Sequence, residues 1–234
     1  MKNYITLLIL IISFSACSKH DNRKVIDDVK TISEVKKGTN TVDIADLPIH
    51  MDSTNYLIHP IGNYKVRNSR SEYLSGDGYS SGNYSVSNYN GYKIAGDLSN
   101  VKFQHINSDE LKPLTNAIIR INAMSFLIET FYHSKKEYYV YDVIDKDTNA
   151  DKKLGHNDLK SIYISNGDGS KFKKLSPDFQ DVTGWKTITI ANRLYFKTIE
   201  DTDSNGEFDN KDQTHYFYVD LNQDNSKVVE YYPI

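Results

Sequence analysis

The chain has 234 residues with 28 basic and 31 acidic side chains, a formal net charge of −3 and one cysteine. A charge so close to zero excludes a basic nucleic-acid binder, because phosphate contacts need clustered Lys and Arg, and a lone cysteine excludes an internal disulfide. Eighteen tyrosines and nine phenylalanines against one tryptophan favour strands, since a phenol suits a half-buried sheet face.

Met1-Lys2-Asn3 gives a short positive start, Tyr4 to Ile12 is almost wholly apolar, and the small residues Ser15 and Ala16 precede Cys17. An apolar run of about ten residues is too short to span a bilayer, which takes about 20, and matches a secretory signal over residues 1–16. Phe14-Ser15-Ala16-Cys17 resembles a bacterial lipobox. That resemblance implies a lipidated Cys17 as mature N-terminus, and Ser18 after it implies passage to the outer membrane rather than retention. Residues 17–45 are polar and charge-mixed, and are expected to form a tether. Val25, Ile26, Val29 and Ile32 fall at helical spacing for a short helix ending near Gly38.

From residue 46 to 234 the pattern is strands and turns. Tyr56-Leu57-Ile58 and Tyr64-Lys65-Val66 are strand candidates around the turn residues Pro60 and Gly62. Residues 69–93 are rich in Ser, Gly, Asn and Tyr. They fit either a hairpin of weak strands around Asn90-Gly91 or an aromatic-bearing loop.

The second half repeats. Val101 and Phe103, a turn at Asn107 to Asp109, then Leu111 and Leu114 are echoed by Ile162 and Ile164, a turn at Asn166 to Gly169, then Phe172 and Leu175. Each unit predicts a hairpin of thirteen-residue spacing. A looser third copy runs from Tyr216 to Tyr231. Apolar strand runs, Ile118 to Phe131 and Trp185 to Ile199, follow the first two copies and lead into acidic loops. The segment from Ile162 to Asp178 resembles the blade motif of TolB-type, WD-repeat-like β-propellers, a strand, an Asp-Gly turn and a Leu-Ser strand. The resemblance implies an all-β fold of antiparallel sheets in propeller-like blade repeats, an incomplete or small propeller, with a β-sandwich as the alternative.

The acidic loops carry the strongest chemical signal. In the loop 201–212, oxygen side chains stand at positions 1, 3, 5, 9 and 12 (Asp201, Asp203, Asn205, Asp209, Asp212), Gly206 at 6 and an apolar Phe208 at 8. Position 7, Glu207, is expected to offer its backbone carbonyl. Ca²⁺ takes six to eight oxygens, and a loop coiling around it turns alternate side chains inward. The loop 147–158 offers Asp147, Asn149, Asp151 and Asp158 at positions 1, 3, 5 and 12, with the Lys153 carbonyl at 7 and Lys152 where Gly belongs, so it is expected to be the weaker site. Both loops resemble EF-hand and dockerin calcium loops, although their flanks are strands rather than helices.

Other chemistry is poorly supported. Gly78-Tyr-Ser80-Ser-Gly82 matches the nucleophile-elbow pattern but lacks the buried strand and helix that motif needs, and the seven histidines are scattered without metal-binding spacing. The sequence therefore predicts a calcium-binding, lipid-anchored, non-catalytic binding or scaffolding module at the outer membrane, with an unknown protein or glycan partner. The alternatives are an accessory carbohydrate- or peptide-binding lipoprotein and, third, a calcium-dependent hydrolase.

Overall fold

The computed structural model describes residue 25 and residues 41–65, 85–223 and 227–234. The signal segment 1–16, Cys17, the short helix expected before Gly38, the elbow-like Gly78 to Gly82 and most of the tyrosine-rich stretch lie outside the described residues.

Alternating apolar and polar residues build two open antiparallel sheets. The larger opens with β1 (Thr41–Ala45), β2 (Ile49–His50) and β3 (Tyr56–Lys65). It continues with β4 (Ser87–Asn90), β5 (Lys93–His105) and β6 (Leu111–Pro113). β7 (Arg120–Phe126), β8 (Tyr138–Ile144), β9 (Ser161–Asn166) and β10 (Lys173–Lys174) complete it. The spatial order is β1-β3-β5-β7-β8-β9-β10, with β2 beside β3 and β4 and β6 beside β5. The smaller sheet is a meander of β11 (Gln180–Ile188), β12 (Arg193–Glu200), β13 (Gln213–Asp220) and β14 (Val228–Tyr231).

Three expectations are corrected. β1 takes residues 41–45 out of the tether and pairs them with β3, Ala45 opposite Ile61. Pro60 and Gly62 do not turn the chain but lie inside β3. In an antiparallel ladder a residue's N–H and C=O face the same neighbour, and the Pro60 carbonyl accepts from Asp46 N at 2.9 Å in the gap between β1 and β2. The proline's missing N–H therefore falls where no ladder bond is needed. Third, the run from Ile118 to Phe131 is not all strand: β7 ends at Phe126, and a short helix α1 (Ile128–Ser134) follows, closed by Lys135 at φ +59°. Its Ile128 and Phe131 pack on the core, a tertiary gain that outweighs β-propensity.

The repeat is real in the pairing. Leu114 N donates to Val101 O, and Leu175 N to Ile162 O, both at 2.8 Å. Phe103 faces Lys112 as Ile164 faces Lys173. The tail of the larger sheet, β7-β8-β9-β10, and the smaller sheet, β11-β12-β13-β14, are the same four-stranded meander, each with an acidic loop joining its second and third strands. The two meanders pack face to face through Val140, Ile162 and Ile164 on one side and Leu194, Phe196 and Val219 on the other. On the opposite face of β8, Tyr139, Tyr141 and Val143 join Phe103, Ile121 and Met124 in a second core. β8 is thus covered on both faces, and its residues are nearly all apolar, as the continuous hydrophobic run requires. Among the described residues neither sheet closes on itself.

Among the described residues no helix is long and apolar enough to cross a membrane.

Candidate metal centre

Both acidic loops fold on one shared hydrogen-bond plan. In the loop 201–212, Asp201 receives the amides of Asn205 at 3.1 Å and Gly206 at 2.7 Å. In the loop 147–158, Asp147 receives those of Asp151 at 3.2 Å and Lys152 at 2.7 Å. The last carboxylate of each loop reaches back to the second residue: Thr202 N donates to Asp212 at 2.9 Å, Thr148 N to Asp158 at 2.8 Å. The same carboxylate takes the position-9 amide, Asp209 or Gly155, at 2.7 Å. The position-2 threonine hydroxyl accepts from the residue just past the loop, Gln213 N or Leu159 N, at 3.0 Å. Each position-5 side chain caps the amide of position 7: Asn205 takes Glu207 N at 2.7 Å, and Asp151 takes Lys153 N at 2.8 Å. Asn149 Oδ1 matches Asp203 Oδ1 in accepting the position-5 amide. Local Asx-type bonds therefore coil the backbone around a common centre, which explains why an oxygen at every other position suffices to specify the shape.

Coiling requires left-handed backbone at two places. Ala150 and Ser204, at position 4, have φ of +61° and +56°, and Lys152 and Gly206, at position 6, have +65° and +80°.

The structure brings Asp201, Asp203 and Asp212 together, one oxygen from each lying within 4.8 Å of the others. Two oxygens on opposite sides of a Ca²⁺ ion stand about 4.6–5.2 Å apart, twice the bond length of about 2.3–2.6 Å, so three carboxylates this close could hold one metal ion. The donor set contains only oxygen, which suits a hard cation. Asp209 stands apart from this group. Its carboxylate accepts Lys211 N at 2.8 Å, and Lys211 Nζ lies 3.6 Å from Asp203.

The loop 147–158 differs in its surroundings. Asp147 is 4% and Asp158 2% exposed, whereas Asp201 and Asp212 are half-buried. Burial, reinforced by the charge of Asp147, holds the Asp158 carboxyl above its ordinary value although the amides of Gly155, Thr148 and Asn149 all donate to it. Arg120 clamps this loop onto the sheet: its guanidinium donates to His156 Nε2 at 2.8 Å and pairs with Asp97 at 2.9 Å.

The sequence did not single out Thr148, Thr202 or Arg120. The two threonines had a signal, the same residue at position 2 of both loops; Arg120 had none, because it meets its loop only across the sheet.

Comparison with protein-family models, with curated proteins and with solved structures finds no match.

Proposed function

We propose that the chain is a calcium-binding, lipid-anchored β-sheet protein that serves as a non-catalytic binding or scaffolding module at the bacterial outer membrane. One observation carries the calcium part: two loops, starting at Asp147 and Asp201 with calcium-type spacing of oxygens, share one hydrogen-bond plan at the same junction of two consecutive meanders. An ion in either loop fastens the second strand of a meander to its third. It also neutralises carboxylates that otherwise face one another. Extracellular calcium modules bind at about 10⁻⁴–10⁻³ M, which suits a protein outside the cytoplasm. The anchor rests on the lipobox-like residues ending at Cys17 and on the outer-membrane address given by Ser18. With the face-to-face packing of the two meanders, the blade-like hairpins support reading the fold as an incomplete propeller, the working face of which lies between blades. Among the alternatives, an accessory carbohydrate- or peptide-binding lipoprotein is favoured by a cleft between the two sheets, lined by Asp142, Lys160 and Trp185 among others.

The test is thermal unfolding with calcium and with chelator. A rise in melting temperature on adding calcium, abolished in the double variant Asp147→Asn/Asp201→Asn, is expected; equal melting temperatures in both buffers reject calcium as a structural ion. For the anchor, Cys17→Ala is expected to release the protein from the membrane fraction.

A further inference from the structure

The two sheets leave a cleft of about 270 Å³ between them, lined by Asn122 and Asp142 from the larger sheet, by Lys160 just before β9, and by Thr183, Gly184 and Trp185 from β11. Both walls are built on irregular backbone. β7 slips register against β8 between Ile121 and Ala123, leaving Asn122 as the extra residue. β11 slips against β12 between Val182 and Gly184, leaving Thr183. A β-bulge re-aims a side chain that a regular strand would place elsewhere, and bulges concentrate beside functional sites. Here one from each sheet meets at the same cleft.

The chemistry of the walls is mixed and unsatisfied. Asn122 Oδ1 is shut away from solvent with no hydrogen-bond partner among the described residues, a state that native proteins rarely leave unanswered. Asn122 itself lines the cleft, and the last torsion of an asparagine is broad, so a turn of the amide is what would bring this acceptor to a ligand. Trp185 Nε1 donates to Asp142 Oδ1 at 3.1 Å. That bond occupies the polar edge of the indole; the ring packs partly against the core between the sheets, and its remaining surface lines the cleft. A backbone hydrogen bond, Val182 N to Lys160 O at 2.9 Å, and the donation of Lys160 N to the Asp181 carboxylate at 2.7 Å fasten the two walls together. At Gly184 a Cβ would meet nothing within 4 Å, so the backbone there faces open space.

We infer that this cleft binds a neutral, polyhydroxylated ligand of about one sugar residue. Lys160 opposes a metal cation and Asp142 opposes a phosphate, whereas a hydroxyl both donates and accepts and so answers Asn122, Asp142 and Lys160 together. The C–H face of a sugar ring supplies the apolar surface that an indole takes. The volume lies just under the range of about 300–1,000 Å³ for larger small-molecule sites, which favours a single ring over a peptide segment. The inference takes up the binding-module part of the proposed function and does not depend on the calcium loops.

Trp185 is the only tryptophan of the chain, so its fluorescence reports on the cleft. The full chain is titrated with the methyl glycosides of glucose, galactose, mannose and N-acetylglucosamine, and with the neutral tripeptide Gly-Ser-Gly, each in calcium and in chelator. A saturable change with at least one glycoside in both buffers, and none with the tripeptide, is expected. Gly184→Leu, which adds a side chain where the backbone faces open space, is expected to weaken binding at least tenfold while the melting temperature is unchanged. The exposed Lys160→Met is expected to weaken it severalfold, and serves as the reporter should Gly184→Leu fail to fold. No saturation by any glycoside, an equal response to the tripeptide, or unchanged affinity in a folded variant overturns the inference. Melting temperatures from the same samples separate this outcome from failure of the calcium reading.

Discussion

Lys152 and Gly206 hold the same place in the two acidic loops, and both have left-handed backbone, φ +65° and +80°. The backbone plan of the loop therefore persists where the residue best suited to it is absent. An L-residue pays about 1–2 kcal/mol for that conformation, and Lys152 is exposed, with no packing to recover the cost.

Exchanging the two residues separates strain from composition. Gly206→Lys is expected to lower stability by about 1 kcal/mol, a fall of about 2–4 °C in melting temperature for a domain of this size. Lys152→Gly is expected to raise it by less, because glycine also gains entropy in the unfolded chain. Differential scanning calorimetry of both variants in chelator checks the pair; a destabilising Lys152→Gly contradicts the strain argument.

Asp203 faces Asp201 and Asp212 within the triad. Asp203→Asn removes one of three converging charges, so its effect is expected to change sign with the metal. In chelator the variant melts at or above the parent, relieved of repulsion; in millimolar calcium it melts below it. A variant that melts below the parent by the same amount in both buffers points to a purely hydrogen-bonding role for Asp203.

Gly169 joins the two hairpin copies. Its φ is +79°, and a Cβ there would stand 2.5 Å from the ring of Phe103, itself 2% exposed. Overpacking costs about 1–3 kcal/mol, and the left-handed backbone adds about 1–2 kcal/mol. Gly169→Ala is expected to lose at least about 2 kcal/mol in urea unfolding, and Gly169→Ala/Phe103→Leu to regain part of it.

The link between β8, β9 and β10 has a defined pH response. Burial by itself would raise the Asp178 carboxyl, but the hydrogen bonds and charges of Lys146 and Lys174 outweigh it and hold the group below its ordinary value, at 2.6 and 2.7 Å. A carboxyl depressed in the folded state contributes its stability in full above the unfolded value of about 3.9, and loses it as pH falls through the folded value. Asp178 is half exposed, so the contribution is at most about 1 kcal/mol. Asp178→Asn is therefore expected to melt slightly below the parent at neutral pH and level with it at the acid end. A constant difference across the whole range would assign the effect to packing instead.

Much of this molecule is written locally. Alternation of apolar residues marked the hairpins of Val101 to Leu114 and Ile162 to Leu175, a continuous apolar run fits the doubly covered β8, and oxygen spacing marked both acidic loops, because a strand's faces and an Asx-coiled loop are set by neighbours a few residues away. Local pattern misleads where distant contacts outweigh propensity. β3 runs straight through Pro60 because the proline falls in a gap between two partners, and α1 forms because Ile128 and Phe131 find a core to enter. The walls of the cleft are the extreme case. Asn122, Asp142, Lys160 and Trp185 come from four separate segments, and two register slips bring them to one place. A register slip depends on how one strand pairs with the next, so no window of sequence contains it; only the packing of one meander on the other decides where those side chains meet.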